Sequence, residues 1–138
     1  MNILVIDGQG GRLGAQLIKE IRTRLPQSRI MAVGTNSVAT AAMLKAGAEE
    51  SATGENPVVV ACRKADVIVG PVGIVIADAM LGEITEKMAC AVARSASKRI
   101  LIPMNRCDHI IAGVGEQSLS ALIADAVDKI AALACPLD

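Results

Sequence analysis

Met1-Asn-Ile-Leu-Val-Ile-Asp7, followed directly by Gly8-Gln-Gly-Gly-Arg-Leu-Gly14, is the stretch that decides the fold. Its first half is apolar and rich in β-branched residues, which is typical of a buried parallel strand. The glycine turn then leads into an amphipathic run from Ala15 to Leu25 that predicts a helix. A strand, a glycine turn and a helix in this order direct backbone N–H groups and a helix N-terminus at one point. The stretch therefore predicts a site for a phosphate.

The composition excludes several classes of protein. Half of the 138 residues (52%) are hydrophobic, which is enough for a folded core and excludes a disordered chain. The chain has 14 basic and 14 acidic residues and no aromatic residue, so it lacks the positive charge and the stacking surfaces that bind nucleic acids. The longest apolar segment, residues 65–82, contains aspartate, glycine and proline and is not a membrane span. We expect a cytoplasmic protein with no membrane and no nucleic-acid partner.

The four cysteines give no metal-binding pattern. They stand at positions 62, 90, 107 and 135 without any C-x-x-C pair, and His109 is the only histidine. We therefore expect reduced thiols and no metal site. Cys107-Asp108-His109 does place a thiol beside the only imidazole. That pair is either a nucleophile with its base or an ordinary strand entry, and no catalytic residue is assigned.

Strand and helix patterns alternate along the whole chain, which indicates an α/β fold. We predict a single Rossmann-like domain over residues 1–138, with about six strands in the order 3-2-1-4-5-6 between two helical layers. Helices are predicted from residue 15 to 25, 37 to 47, 57 to 64, 74 to 81, 85 to 96 and from 118 onwards. The predicted strands are Asn2–Ile6, Arg29–Val33, Glu50–Thr53, Val67–Val69, Arg99–Ile102 and His109–Val114.

Ligands of such sheets bind where the strands end, so the residues after each strand are the candidate site. Glycine allows the backbone to approach a phosphate closely, and arginine neutralises it. The predicted binding residues are Gly8, Gln9, Gly10, Gly11, Arg12, Thr35, Asn36, Ser37, Gly70, Pro71, Asn105 and Arg106.

The glycine turn departs from the usual dinucleotide fingerprint in two ways. The pattern is G-x-G-x-x-x-G, because position 13 is leucine and the next glycine is Gly14. The acidic residue that would close the second strand and bind a ribose is replaced by Thr35-Asn36-Ser37. A Walker A loop is excluded because its lysine is missing. The turn therefore either binds a phosphate or nucleotide, or only joins a strand to a helix.

Part of the chain resembles the nucleotide-binding half of the β-hydroxyacid dehydrogenases. The similar segments are residues 32–37, 43–48 and 65–71. The resemblance implies a nucleotide, NAD or NADP, whose ribose or 2′-phosphate meets Thr35, Asn36 and Ser37. The arginine of that family's motif is absent, and nothing corresponds to its second, helical domain with a catalytic lysine. The resemblance therefore implies a cofactor half without a substrate half.

Over nearly its full length the chain resembles a family of small bacterial Rossmann-like proteins of unknown function. The segments that carry this resemblance are residues 7–11, 34–37, 39–47, 62–66, 70–74 and 102–107. It implies the fold and no activity. We expect binding of NAD(P) or a related adenine nucleotide at Gly8–Gly14, by a minimal or partnered oxidoreductase or by a non-enzymatic sensor or regulatory module. The apolar segment Val72–Leu81 and the last helix further predict a homo-oligomer.

Overall fold

The computed structural model of the chain describes residues 1–104 and 109–134. Five parallel strands form one sheet in the order β3-β2-β1-β4-β5. The predicted doubly wound parallel sheet is thus confirmed, with five strands in place of six. The strands are β1 (Asn2–Asp7), β2 (Arg29–Gly34), β3 (Glu50–Thr53), β4 (Val67–Pro71) and β5 (Lys98–Ile102).

Helices cover both faces of the sheet, so the core is divided into two aliphatic layers. On one face lie α1 (Arg12–Arg24), α2 (Ser37–Ala46) and α5 (Leu119–Ala134). On the other lie α3 (Glu55–Cys62), a 3₁₀ turn (Val72–Val75) and α4 (Glu86–Arg94). Alternate residues of β1 enter the two layers, because successive side chains of a strand point to opposite faces.

Three helices begin after polar residues whose side chains cap them. The Asn36 side chain accepts from the Ala39 N–H at 2.9 Å, and Thr85 Oγ1 accepts from the Met88 N–H at 3.1 Å. Ser118 Oγ accepts from the Ala121 N–H at 3.1 Å at the start of α5. Each bond satisfies an N–H of the first turn that has no partner within its helix. The other two helices begin after a glycine: α1 follows Gly11, and α3 follows Gly54 and begins at Glu55, two residues before the predicted Pro57.

Two predicted elements are wrong. The segment His109–Val114 is not a sixth strand: it bends into a turn closed by the Val114 N–H on the Ile111 carbonyl, and Ile110 is exposed. The segment 74–81 is not a helix beyond the 3₁₀ turn, because Asp78, Met80 and Leu81 all have positive φ. Apolar composition suggested both elements, but neither segment has the periodicity that buries one face.

No helix within residues 1–104 and 109–134 combines the length and the apolar character that crossing a membrane requires.

Candidate functional site

Asp7, at the end of β1, braces the glycine turn from inside. Its side chain is buried, and its carboxylate accepts from the Gly8 N–H at 2.8 Å and the Gly14 N–H at 2.7 Å. Burial raises the pKa of Asp7, the bonds from Gly14 and Gly8 lower it, and the nearby charge of Glu83 raises it; the net pKa lies above the ordinary value. Asp7 therefore occupies the N–H groups of Gly8 and Gly14, and these two donors are not available to a ligand.

Two of the turn's glycines are required by packing. Gly11 has φ +73°, and a Cβ there would lie 2.6 Å from Ala39 Cα in α2. A Cβ at Gly14 would lie 2.6 Å from Met43 Sδ and 2.9 Å from Asp7 Cβ. The displaced glycine of the fingerprint thus performs the packing role of the usual third glycine, one residue later.

Gly10 is different, because its side-chain position faces open space. A Cβ there would meet no atom within 4 Å. The N–H groups of Gly10, Arg12 and Leu13 have no acceptor among the described residues. The Arg12 side chain is exposed and forms no ion pair with any residue of the described ranges. This combination of free donors, an unblocked approach and a helix N-terminus suits an anion.

Glu83 connects the glycine turn to the turn after β2. It lies in the loop between the 3₁₀ turn and α4, and its Oε1 atom accepts three hydrogen bonds. The donors are the Gln9 N–H at 3.1 Å, the Thr35 hydroxyl at 2.7 Å and the Asn36 amide at 2.5 Å. The Asn36 amide also donates to the Gln9 carbonyl at 2.9 Å. The two turns predicted as one site are therefore held together, and the residue that joins them comes from a third segment.

The environment of Glu83 favours its ionised form. Partial burial raises its pKa, but the hydrogen bonds from Thr35, Asn36 and Gln9 outweigh that effect, so the pKa lies below its usual value. None of the ion pairs among the described residues involves Glu83. The site thus contains a fixed negative charge that only neutral donors stabilise.

Glu83 was missed by the sequence analysis because it is 74 residues from Gln9 along the chain. It stands in a loop where Met80 also lies over the first glycine: a Cβ on Gly8 would come within 2.5 Å of Met80 Sδ and 3.4 Å of Glu83 Oε1. The Gly82-Glu83 pair just before the Thr85 cap was the available local signal, and such a pair is common in loops.

The remaining predicted residues are not gathered in the same way. Ser37 is exposed at the first position of α2. Gly70 and Pro71 are buried at the end of β4, where a Cβ on Gly70 would lie 2.3 Å from the Ile6 carbonyl oxygen. Gly70 therefore serves the close contact of β4 with β1. Asn105 and Arg106 lie outside the described residues.

The thiol and imidazole considered above do not form a described pair. Cys107 lies outside the described residues, and His109 is exposed. Of the cysteines within the described ranges, Cys62 is buried, and burial raises the pKa of its thiol to about 11, whereas Cys90 is exposed. Within the same ranges no cluster of three or more histidine, cysteine or acidic side chains is arranged to hold a metal.

Two grooves lie elsewhere on the surface. One, of about 680 Å³, lies at the opposite edge of the sheet between the ends of α3 and α4. The other, of about 330 Å³, follows β3 and α3. The first lies at the C-termini of α3 and α4 and is lined by Arg63 and Arg94. We give more weight to the glycine turn, because there the free N–H groups of Gly10, Arg12 and Leu13 lie at a helix N-terminus with an open approach.

Comparison with known proteins gives the family. The family model described as "Domain of unknown function (DUF3842)" matches residues 2–134. The chain belongs to this family. The resemblance to a Rossmann-like family of unknown function is thereby confirmed, and membership assigns no activity. No curated protein matches the chain.

Among solved structures, the DUF3842 chain is similar to a dodecameric FMN-dependent Ubix-like decarboxylase from Escherichia coli O157:H7. The two share 15% identity, the match covers 95% of each chain, and the TM-score is 0.56. A likeness at this identity shows the shared fold.

Proposed function

We propose that this protein binds a phosphate-bearing nucleotide at the carboxyl edge of β1 and β2, with the phosphate at the N-terminus of α1. The observation that carries the proposal is the open position at Gly10, beside the N–H groups of Gly10, Arg12 and Leu13. Anions bind at such helix starts because several N–H groups and the helix dipole act together. The Arg12 guanidinium would add a charge-assisted contact.

A nucleotide is favoured over free phosphate because polar groups continue beyond the helix start. Thr35 and Asn36 lie in the turn after β2, and both donate hydrogen bonds to Glu83, which also accepts from the Gln9 N–H. These residues fit a sugar next to the phosphate. With no aromatic residue in the chain, a base or other ring would pack against aliphatic side chains such as Met80.

The candidate ligands are NAD, NADP, a related adenine nucleotide and FMN. The first three follow from the glycine turn and the dehydrogenase resemblance, and FMN follows from the fold likeness to the FMN-dependent decarboxylase. With NAD, NADP or FMN the protein would act as a minimal or partnered oxidoreductase, because these groups supply electron-transfer chemistry when bound. With a plain adenine nucleotide it would act as a sensor or regulatory module.

Isothermal titration with inorganic phosphate, ADP, NAD, NADP and FMN tests the proposal. We expect saturable binding of at least one nucleotide, and Gly10→Val should abolish it, because the new side chain fills the open approach to the N–H groups. Gly115→Val is the matched control, since Gly115 also has open space and an unstrained φ but lies far along the chain.

The proposal fails if none of the five ligands binds at millimolar concentration. It also fails if Gly10→Val binds as well as the wild type. Circular dichroism and thermal unfolding of both variants establish that each is folded before it is titrated.

We also propose a homo-oligomer, which the dodecameric state of the structural neighbour supports. Light scattering during size-exclusion chromatography gives the molar mass directly. A mass equal to the 14.2 kDa monomer at micromolar concentrations would contradict it.

A further inference from the structure

We infer that Glu83 is the residue that selects the sugar of the bound nucleotide: its carboxylate accepts from the ribose hydroxyls and rejects a 2′-phosphate. The inference rests on the proposed function and assigns it a ligand class, nucleotides with a free 2′,3′-diol. In the usual fingerprint an acidic residue at the end of the second strand has this task. Here that position holds Thr35, and the carboxylate reaches the same place from another loop.

The position of Glu83 is fixed by three contacts. Gln9, Thr35 and Asn36 all donate to Oε1, so the carboxylate is anchored at one oxygen. The other oxygen, Oε2, accepts from no described residue, and the side chain is only partly buried. An anchored carboxylate with one free oxygen is an acceptor for a hydroxyl pair.

Glu83 stands next to the phosphate site along the glycine turn. The Glu83 carboxylate accepts a hydrogen bond from the Gln9 N–H, and the N–H groups without an acceptor begin at the next residue, Gly10. In a nucleotide the ribose and the phosphate are likewise adjacent groups. The carboxylate also lies over Gly8, since a Cβ there would be 3.4 Å from Oε1. A nucleotide whose phosphate lies at Gly10 would therefore have its sugar beside Glu83, at the edge of the space over Gly8 that Met80 and Thr35 fill.

Charge explains why a diol is preferred over a phosphate at this point. The carboxylate is ionised at neutral pH, no described cation pairs with it, and Asp7 adds a second acidic group nearby. A 2′-phosphate would meet this negative charge at short range, whereas hydroxyl groups would donate to it. ADP and NAD should consequently bind more tightly than their 2′-phosphorylated counterparts.

A cycle of two protein forms and three ligands tests the inference. Wild type and Glu83→Gln are titrated with ADP, 2′,3′-dideoxy-ADP and ADP that carries a 2′-phosphate. We expect wild type to prefer ADP over each analogue by about tenfold or more, the usual effect of a hydrogen bond to a charged group. Glu83→Gln should lose most of that preference, because it keeps one acceptor for the anchoring donors but lacks the charge. Thr35→Val, which removes one anchoring donor, should reduce it partially.

Glu86→Gln is the matched control: it removes an exposed acidic charge at the start of α4 and should leave the preference unchanged. If Glu83→Gln retains the wild-type preference, or wild type never shows one, the inference is wrong while nucleotide binding stands. If Glu83→Gln binds inorganic phosphate and all three ligands more tightly, the carboxylate competes for the phosphate donors, which also overturns it. If wild type binds neither phosphate nor any nucleotide, the proposed function itself has failed.

Discussion

Alanine substitutions at two neighbouring glycines of the turn, Gly11 and Gly10, should have different effects on the free energy of unfolding. At Gly11 the new Cβ would lie 2.6 Å from Ala39 Cα and 2.9 Å from the Ala39 carbonyl oxygen. Both atoms are backbone, so no rotamer change relieves the overlap, and α1 must move away from α2. The left-handed φ of +73° adds about 1–2 kcal/mol for alanine, and overpacking typically adds about 1–3 kcal/mol. We expect Gly11→Ala to lower the free energy of unfolding by about 2–5 kcal/mol.

Gly10→Ala is the matched control for this experiment. Its Cβ meets no atom within 4 Å and its φ is outside the left-handed region, so the reduced freedom of the unfolded chain should leave stability unchanged or slightly higher. Urea denaturation followed by far-ultraviolet circular dichroism gives both values. At a slope of about 2 kcal/mol per molar urea, the midpoint of Gly11→Ala should fall by about 1–2.5 M. If the two variants unfold within about 0.5 kcal/mol of each other, the packing argument for the turn is wrong.

Three further predictions concern ionisation, thiol chemistry and the core. The pKa of Glu83 is below the unfolded value of about 4.5, so its contribution to stability is present above that pH and is lost as the pH falls through the folded pKa. The stability difference between wild type and Glu83→Gln, measured by urea denaturation, should therefore shrink from pH 6 to pH 3, and a constant difference would contradict the described contacts. Cys90 should react with iodoacetamide far faster than Cys62, whose thiol is buried with a pKa of about 11; equal labelling by mass spectrometry would show that the α3 layer opens readily. Ile130→Ala, in the fully buried face of α5, should cost about 2–5 kcal/mol in the same denaturation assay, and a cost below 1 kcal/mol would mean that α5 is not docked on the sheet.

Sequence patterns predicted the elements whose formation depends on residues close together along the chain. The apolar run of β1 and the spacing of Leu17, Ile18 and Ile21 in α1 specify a strand and an amphipathic helix without reference to the rest of the chain. The caps at Asn36 and Thr85 are equally local, because each side chain bonds to an N–H group three residues away. The predicted strand β1 and helix α1 were confirmed for that reason.

Features that depend on long-range contacts were not predictable. Ile110 and Ile111 have the composition of a strand, but a strand also needs a sheet edge to pair with, which composition does not encode. Glu83 looks like an ordinary loop residue until the fold places it beside Thr35. The structure brings Gln9, Thr35 and Asn36 together because parallel strands end at one edge, and Glu83, which joins them, comes from a loop without a pattern.

The close contact of Gly11 with Ala39 has a consequence for how this scaffold changes over evolution. The backbones of Gly11 and Ala39 are in contact, so the glycine turn and α2 cannot approach each other any more closely. A Cβ at position 11 would therefore force the two apart, whereas Thr35, Asn36 and Glu83 add side-chain hydrogen bonds between the turns. An engineer could vary residues 35 and 83 together as a library, provided that Gly11 and Ala39 are kept.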